Sequence, residues 1–401
     1  MSEAIPSLTV RLWPKGGAAV LQVARGRIEM LTPLRRTPSG QMPWLAPLLF
    51  DPQLNGYAGV DFQDPGADAD AVESAAAAFA ADGGGRFFLT LITDEWPRML
   101  ERLRCLRRWR ARRPTLRRRI AGWHLEGPFL SPQPGFRGAH NSGLMRDPSP
   151  EDFRRLREAA GGDSLWVTLA PERPGALESI RAATALGIRV WLGHTDASAD
   201  QLRAAFAAGA VGVTHLGNGC PVRLDRADNI LWRVFDLPGA RCSLIPDSFH
   251  VSPPLFRLIH RVLGAECIVY TTDAVAPAGA PPGRYSICGR EIEVAADGVV
   301  RLPGQPGAFA GSGLRPLAGV ARAAAMLGAR WREVWAGFTT RPGEWAGIPT
   351  LLSEGEPADF ALIREMDDSA PRVTIVLDGV PQREQRLETG LQQPLPQETQ
   401  T

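Results

Sequence analysis

The sequence predicts an α/β protein, a (β/α)₈ TIM-type barrel with a small β-sandwich domain built from both chain ends. Three observations support this. Eight short apolar segments alternate with Ala-rich stretches through the middle of the chain, strand-like patches without that alternation stand at both ends, and five of the six histidines fall at or just beyond the ends of the apolar segments. Continuous apolar segments fit strands buried on both faces, and regular strand–helix alternation fits a parallel sheet closed on itself.

The first patch, from Ser7 to Met30, reads SLTVRLW, KGGA and AVLQVARGRIEM, short strands joined by tight turns. Its counterpart near the other end is ADFALI at 358–363 and RVTIVLDG at 372–379. Residues 1–46 with 347–388 are therefore expected to form the small domain, and 47–346 the barrel. The barrel strands read as LLFDPQL (48–54), RFFLTLIT (86–93), IAGWHLE (120–126), LWVTLA (165–170), RVWLGHT (189–195), VGVTHL (211–216), RCSLIP (241–246) and CIVYTTDA (267–274). Helical stretches such as ADAVESAAAAFAADG and SADQLRAAFAAG lie between them. Two long interruptions follow the third and eighth strands, at 127–150 and 275–310, the second carrying strand-like YSIC, REIEV and VVRL. Long loops at the C-terminal ends of barrel strands build active-site walls and lids. The Gln- and Pro-rich tail, 389–401, reads as disordered.

Composition narrows the function. The 45 basic and 43 acidic residues nearly cancel, and the basic run from Arg102 to Arg119 reads as a solvated helix face without the interleaved aromatics that stack on bases. No nucleic-acid partner is expected. The five cysteines are odd in number and scattered, which suits a reducing cytoplasm. The start MSEAIPSLTVRLW lacks a basic segment followed by an apolar one, and no apolar run approaches the roughly 18 residues of a spanning helix, so no membrane partner is expected either.

The chemistry is expected at the strand ends. Glu126 closes the third strand, His194 the fifth and His215 the sixth, and a carboxylate with two imidazoles is a sound ligand set for a divalent ion. Zinc is the first expectation, with iron, manganese and cobalt open on this donor set. Such an ion acidifies water and polarises a carbonyl. Asp273, closing the eighth strand in TTDA, is the expected general base and then general acid. Gln53 and Asn55 stand in DPQLNG where many metallohydrolases carry two histidines, which points to one ion rather than a bridged pair. His260, in the helical LFRLIHRVLG, reads as structural.

Six motifs in order across 51–314, DPQLNGYAGVDF, WHLEGPFLSP with GAH downstream, LGHTDA, THLGNG, TTDAVAPAG and AGSGL, resemble the N-acetylglucosamine-6-phosphate deacetylases of the amidohydrolase superfamily. The later EGEPADFALI resembles that family's return to its β domain. The resemblance implies the same four residues: Glu126, His194 and His215 on the metal and Asp273 as acid–base. It further implies His140, Asn218, Gly219 and His250 as substrate contacts, and Arg226 as an arginine reaching the phosphate bound in a neighbouring subunit, hence a homodimer. The implied activity is hydrolysis of an acetamido group on an amino sugar, with N-acetylglucosamine 6-phosphate first. The sequence departs from the family where substrate is touched. Asn218-Gly219-Cys220 replaces Asn-Ala-Met, Ala227-Asp228-Asn229 replaces Glu-Pro-Gly after the arginine, and Asp247-Ser248 replaces Asp-Gly. Another N-acyl substrate (an unphosphorylated sugar, an N-acyl amino acid or a cyclic amide) and a non-catalytic barrel are the alternatives.

Overall fold

The computed structural model describes residues 7–294, 298–366 and 370–388; the tail expected to be disordered lies outside them. Eight parallel strands follow one another in chain order around a barrel: β1 (Leu49–Leu54), β2 (Gly84–Ile92), β3 (Ile120–Glu126), β4 (Ser164–Leu169), β5 (Arg189–Leu192), β6 (Ala210–Val213), β7 (Cys242–Leu244) and β8 (Ile268–Tyr270). These are the eight expected strands. The ring closes just beyond β8, where Ala274 bridges Leu54 in parallel and its carbonyl accepts from the Asn55 and Gly56 amides at 2.8 and 3.2 Å. Asp51 reinforces that seam. Its buried carboxylate accepts from Thr271 Oγ1 (2.6 Å), the Thr272 amide (3.1 Å) and the Gln53 amide (3.1 Å), while burial pushes its pKa up to about 6.

Strands β5 to β8 are shorter than the sequence suggested. LGHT, THL, LIP and TTDA continue the apolar pattern, but the ladders stop at Leu192, Val213, Leu244 and Tyr270. The reason is backbone geometry: His194, His215 and Asp273 have φ of 50°, 31° and 49°, in the left-handed region, which ends an extended strand and turns the chain across the barrel mouth.

Helices start where the sequence supplies caps. Asp68 accepts from the Ala71 amide ahead of Ala69–Ala81, and Ser149/Asp152 and Ser198/Gln201 form reciprocal capping boxes ahead of Pro150–Ala160 and Ala199–Ala208. The basic run is not wholly a solvated face. Arg119 is buried against Asp359 and Arg102 donates to the Phe62 and Ala67 carbonyls, while Arg104, Arg108 and Arg112 are exposed. Among the described residues no helix is long and apolar enough to cross a membrane.

The two chain ends meet in one seven-stranded sheet, in the order Val380–Arg386, Arg372–Leu377, Phe360–Arg364, Trp44–Pro47, Ser7–Leu12, Ala18–Ala24 and Arg27–Pro33. Both ends share one apolar core, which includes Val10, Leu21, Leu45, Phe360 and Val376. The interruption after β8 folds into a four-stranded antiparallel sheet (Gly283–Ile287, Arg290–Val294, Val300–Leu302, Gln305–Phe309), one strand more than its sequence signals. Its Ile287, Ile292 and Val300 pack with Ile92 and Val275 at the barrel mouth, so this sheet acts as a lid.

The barrel's lumen is a packed aromatic core. Trp166 stacks on Trp191 with centroids 4.5 Å apart, Phe88 meets Trp166 edge-on at 5.2 Å, and Phe50 meets Phe88 at 5.4 Å. Deleting a fully buried aromatic there leaves a cavity that neighbouring strands cannot collapse to fill. Trp166→Ala is expected to cost about 3–5 kcal/mol, seen as a lower urea midpoint at unchanged slope.

Candidate active site

Glu126, the last residue of β3, is the centre of the mouth. Its buried carboxylate faces three imidazoles: His215 Nε2 lies 2.7 Å and His194 Nε2 3.4 Å from Oε1, and His140 Nε2 lies 3.6 Å from Oε2. Burial alone would raise the pKa of Glu126, but the charge of His215 and the adjoining imidazoles of His140, His194 and His215 hold it well below the usual range. Glu126, His140 and His194 form a set whose ligand atoms lie within 4.8 Å of one another. His140, expected from the resemblance to touch substrate, thus stands as close to this carboxylate as His194 does.

Two of the three imidazoles are oriented from the far side, while His215 Nδ1 has no hydrogen-bond partner among the described residues. His194 Nδ1 is 2.7 Å from the Phe136 carbonyl and must donate to it, so Nε2 presents a lone pair to the Glu126 carboxylate. Burial lowers the His194 pKa to about 4 and keeps the ring neutral. Two acceptors facing each other at 3.4 Å repel unless a cation lies between them, so this donor set fits a divalent ion. His140 is held differently. Its Nδ1 accepts the Thr93 backbone N–H at 3.4 Å and meets Thr93 Oγ1 at 2.9 Å, which places the proton of the neutral ring on Nε2, toward the cavity. For His215, burial opposes protonation but the Glu126 carboxylate outweighs it and raises the pKa.

The left-handed backbone at His194, His215 and Asp273 costs on the order of 1–3 kcal/mol per residue. Specific bonds hold it: the Ser131 amide donates to the His194 carbonyl (3.0 Å), the His215 amide donates to Ser243 Oγ (2.7 Å), and the Ser312 amide donates to the Asp273 carbonyl (3.0 Å).

Asp273 faces the same cavity. Gln53 Nε2 (2.9 Å) and Asn55 Nδ2 (2.8 Å) both donate to its Oδ1, leaving Oδ2 without a side-chain donor among the described residues. Burial, followed by the Glu126 charge, pushes its pKa up to about 7, against the pull of His215, His250 and Asn55. The positioning role of Gln53 and Asn55 was not read from the sequence. Its signal was there, because residues two apart on a strand share a face.

These groups enclose a cavity of about 40 Å³, walled on its apolar side by Ile92, Val275, Ile287 and Phe309. Glu126, His140, His194, His215, Asn218 and Asp273 all line it. Gly219 lies against the His194 ring: a Cβ there would fall 2.8 Å from Nδ1, and one at Gly138 would fall 2.9 Å from Cε1. His250 lies beside this cavity rather than in it, and Arg226 is exposed on the loop after β6. His124 is spent inside the barrel on the Pro52 carbonyl and Thr168 Oγ1, and His260 on the Phe256 carbonyl and Tyr270.

No family model matches the chain. It is 31% identical over 348 residues, 86% of this chain and 90% of the relative, to an N-acetylgalactosamine-6-phosphate deacetylase of Escherichia coli O157:H7. Identity to an N-acetylglucosamine-6-phosphate deacetylase of Vibrio furnissii is 30% over 317 residues, covering 79% and 77% of the two chains. Its structure resembles that of a mutant N-acetyl-D-glucosamine-6-phosphate deacetylase of Mycobacterium smegmatis in complex with N-acetyl-D-glucosamine-6-phosphate, with a TM-score of 0.78 at 27% identity, covering 96% and 98% of the chains.

Because Gly219 has φ of +62° and no room for a Cβ beside His194, Gly219→Ala should tilt that ring. The expected outcome is a roughly 10–100-fold weaker affinity for divalent metal in a competition titration, with the fold retained.

Proposed function

The chain belongs to the N-acetylglucosamine-6-phosphate deacetylase family of amidohydrolases, and from that premise we propose that it hydrolyses the acetamido group of an N-acetylhexosamine 6-phosphate, N-acetylglucosamine 6-phosphate first. The observation that carries this reading is the gathering of Glu126, three imidazoles and Asp273 around one small cavity at the C-terminal ends of the barrel strands. In this reading Glu126, His194 and His215 hold a single divalent cation, zinc first, and the cation supplies an acidified water and a polarised acyl oxygen.

The chain's own residues do the rest. With Gln53 and Asn55 both bonded to Oδ1 of Asp273, Oδ2 is the atom that takes the proton from water and returns it to the departing nitrogen, giving acetate and the amino sugar phosphate. His140, with its proton on Nε2, donates to the acyl oxygen as negative charge builds there. That tautomer is why His140 is assigned to substrate and His194 to the cation, although both stand equally close to Glu126. Asn218 and the backbone of Gly219 border the sugar. Zinc, a cytoplasmic setting and a homodimer complete the reading, supported by the nitrogen–oxygen donor set, five unpaired cysteines and the exposure of Arg226.

Asp273 works as a base only when ionised, so kcat/KM should fall as pH drops through its pKa. That pKa is about 7 from burial and neighbouring charge, and a bound cation draws it lower, so the acid limb should lie below about 7. Asp273→Asn should bind metal normally, lose this limb and lose about 10²–10⁴-fold in kcat. Substrate choice is read by acetate release from N-acetylglucosamine and N-acetylgalactosamine, each with and without a 6-phosphate, together with an N-acetyl amino acid. Release confined to the amino acid would overturn the sugar assignment.

A further inference from the structure

His194 reaches Glu126 from a backbone with φ of 50°, and the short link that follows it, Thr195 to Ala197, joins it to the helix Ala199–Ala208. That link is gripped from two sides. Glu172, three residues past the end of β4, takes two of its donors: Thr195 Oγ1 donates to Oε2, and the Asp196 amide donates to Oε1 at 3.0 Å. Thr195 Oγ1 also accepts the Ala197 amide at 3.0 Å. Among the described residues, every hydrogen bond of the Glu172 carboxylate goes to this link.

The second grip comes from Arg233, on the helix Ile230–Phe235. Its Nη1 meets Asp196 Oδ1 at 2.9 Å and the carbonyls of Asp196 and Ala197 at 3.2 and 3.1 Å. The other edge of the guanidinium is held by Asp228, Nε donating to Oδ1 at 2.7 Å and Nη2 to Oδ2 at 2.9 Å, a bidentate pair. Asp228 stands where the resembling family carries proline, which has no carboxylate to offer. Asn229, in place of glycine, caps the same helix by accepting the Leu231 and Trp232 amides at 3.0 and 3.3 Å. The loop that carries Arg226 is thus tied through one arginine to the backbone just past His194.

Neither Glu172 nor Arg233 lines the catalytic cavity, so neither touches the reacting atoms. We propose that both are positioning residues for the divalent cation: they fix the link behind His194, and with it the left-handed backbone that aims His194 Nε2 at Glu126, and Asp228 extends that hold into the loop bearing Arg226. Ligand direction is set by such outer contacts, because a small rotation at the Cα displaces the far nitrogen of the ring. This rests on the reading of His194 as a metal ligand and adds to it the residues that keep it in place.

The test titrates full-length, metal-free proteins with zinc against a chromogenic chelator, with thermal unfolding as the folding control. Glu172→Ala and Arg233→Met should bind zinc roughly 10–100-fold more weakly than the parent. Glu172→Gln, whose carboxamide can accept the Asp196 amide and donate to Thr195 Oγ1, should stay within about threefold. Because both residues act on one link, the double variant should lose less than the product of the single losses. Asp228 is 68% exposed, so Asp228→Ala reads the link to the loop even where the other variants do not fold, with zinc binding about two- to fivefold weaker. Folded Glu172→Ala and Arg233→Met proteins with the parent's zinc affinity would overturn the inference whatever their melting temperatures, as would parental affinity in Asp228→Ala. Zinc binding is read without substrate, which separates the two failures. A parent that binds zinc but releases no acetate loses the deacetylase reading alone, and a parent that binds no divalent metal ends the inference.

Discussion

The site is organised by one buried charge. A carboxylate removed from water is costly unless donors or a cation surround it. Among the described residues Glu126, at the end of β3, has no arginine or lysine within ion-pairing distance, and its charged contacts are imidazoles. The arrangement around it follows from that constraint. His215 supplies the short contact, while His194 is turned by the Phe136 carbonyl so that its free lone pair points inward, and His140 is turned by Thr93 so that its proton does. A divalent cation beside Glu126 would compensate the carboxylate and the inward-facing acceptor together, which would make metal binding and the stability of the mouth one problem rather than two.

The barrel contributes position, and its contribution is concentrated at places where regular structure stops. Three of the groups that line the cavity sit on residues with left-handed backbone just after strands end, each held by a bond from a neighbouring segment. The seam between β1 and β8 has a comparable double use. Asp51 locks the seam through Thr271 and Thr272, and the same stretch delivers Gln53 and Asn55 to Asp273. Closing the barrel and aiming Asp273 are therefore mechanically linked, because a slip in the seam would move both amides off Oδ1.

Where the chain departs from the family it resembles, the structure gives physical reasons for some of the changes. Gly219, standing where the family carries alanine, leaves no side chain against the His194 ring, which Gly138 crowds from another direction. Asp247 spends its carboxylate on His250 and two backbone amides, so the Asp-Ser replacement keeps the histidine oriented. For Cys220 in place of methionine the structure offers no explanation beyond a half-buried thiol near the Gly217 carbonyl. The lid sheet covers the mouth with Ile287 and Phe309, which line the small cavity together with the imidazoles.

Local pattern alone determined the eight strands, the helices between them, the pairing of the two chain ends and the strand-end positions of Glu126, His194, His215 and Asp273, because alternation and apolar runs are properties of contiguous residues. It overran the last strands, since a left-handed turn at a histidine or aspartate leaves no mark in an apolar pattern. It missed the fourth lid strand, and it treated Arg119 as solvated although Asp359, 240 residues away in sequence, buries it. Tertiary structure alone decided which nitrogen of each histidine faces the cavity, which oxygen of Asp273 is free, and that Glu172 and Arg233 grip the same link. Those facts depend on bonds between residues tens to hundreds of positions apart, and a linear sequence does not contain their distances.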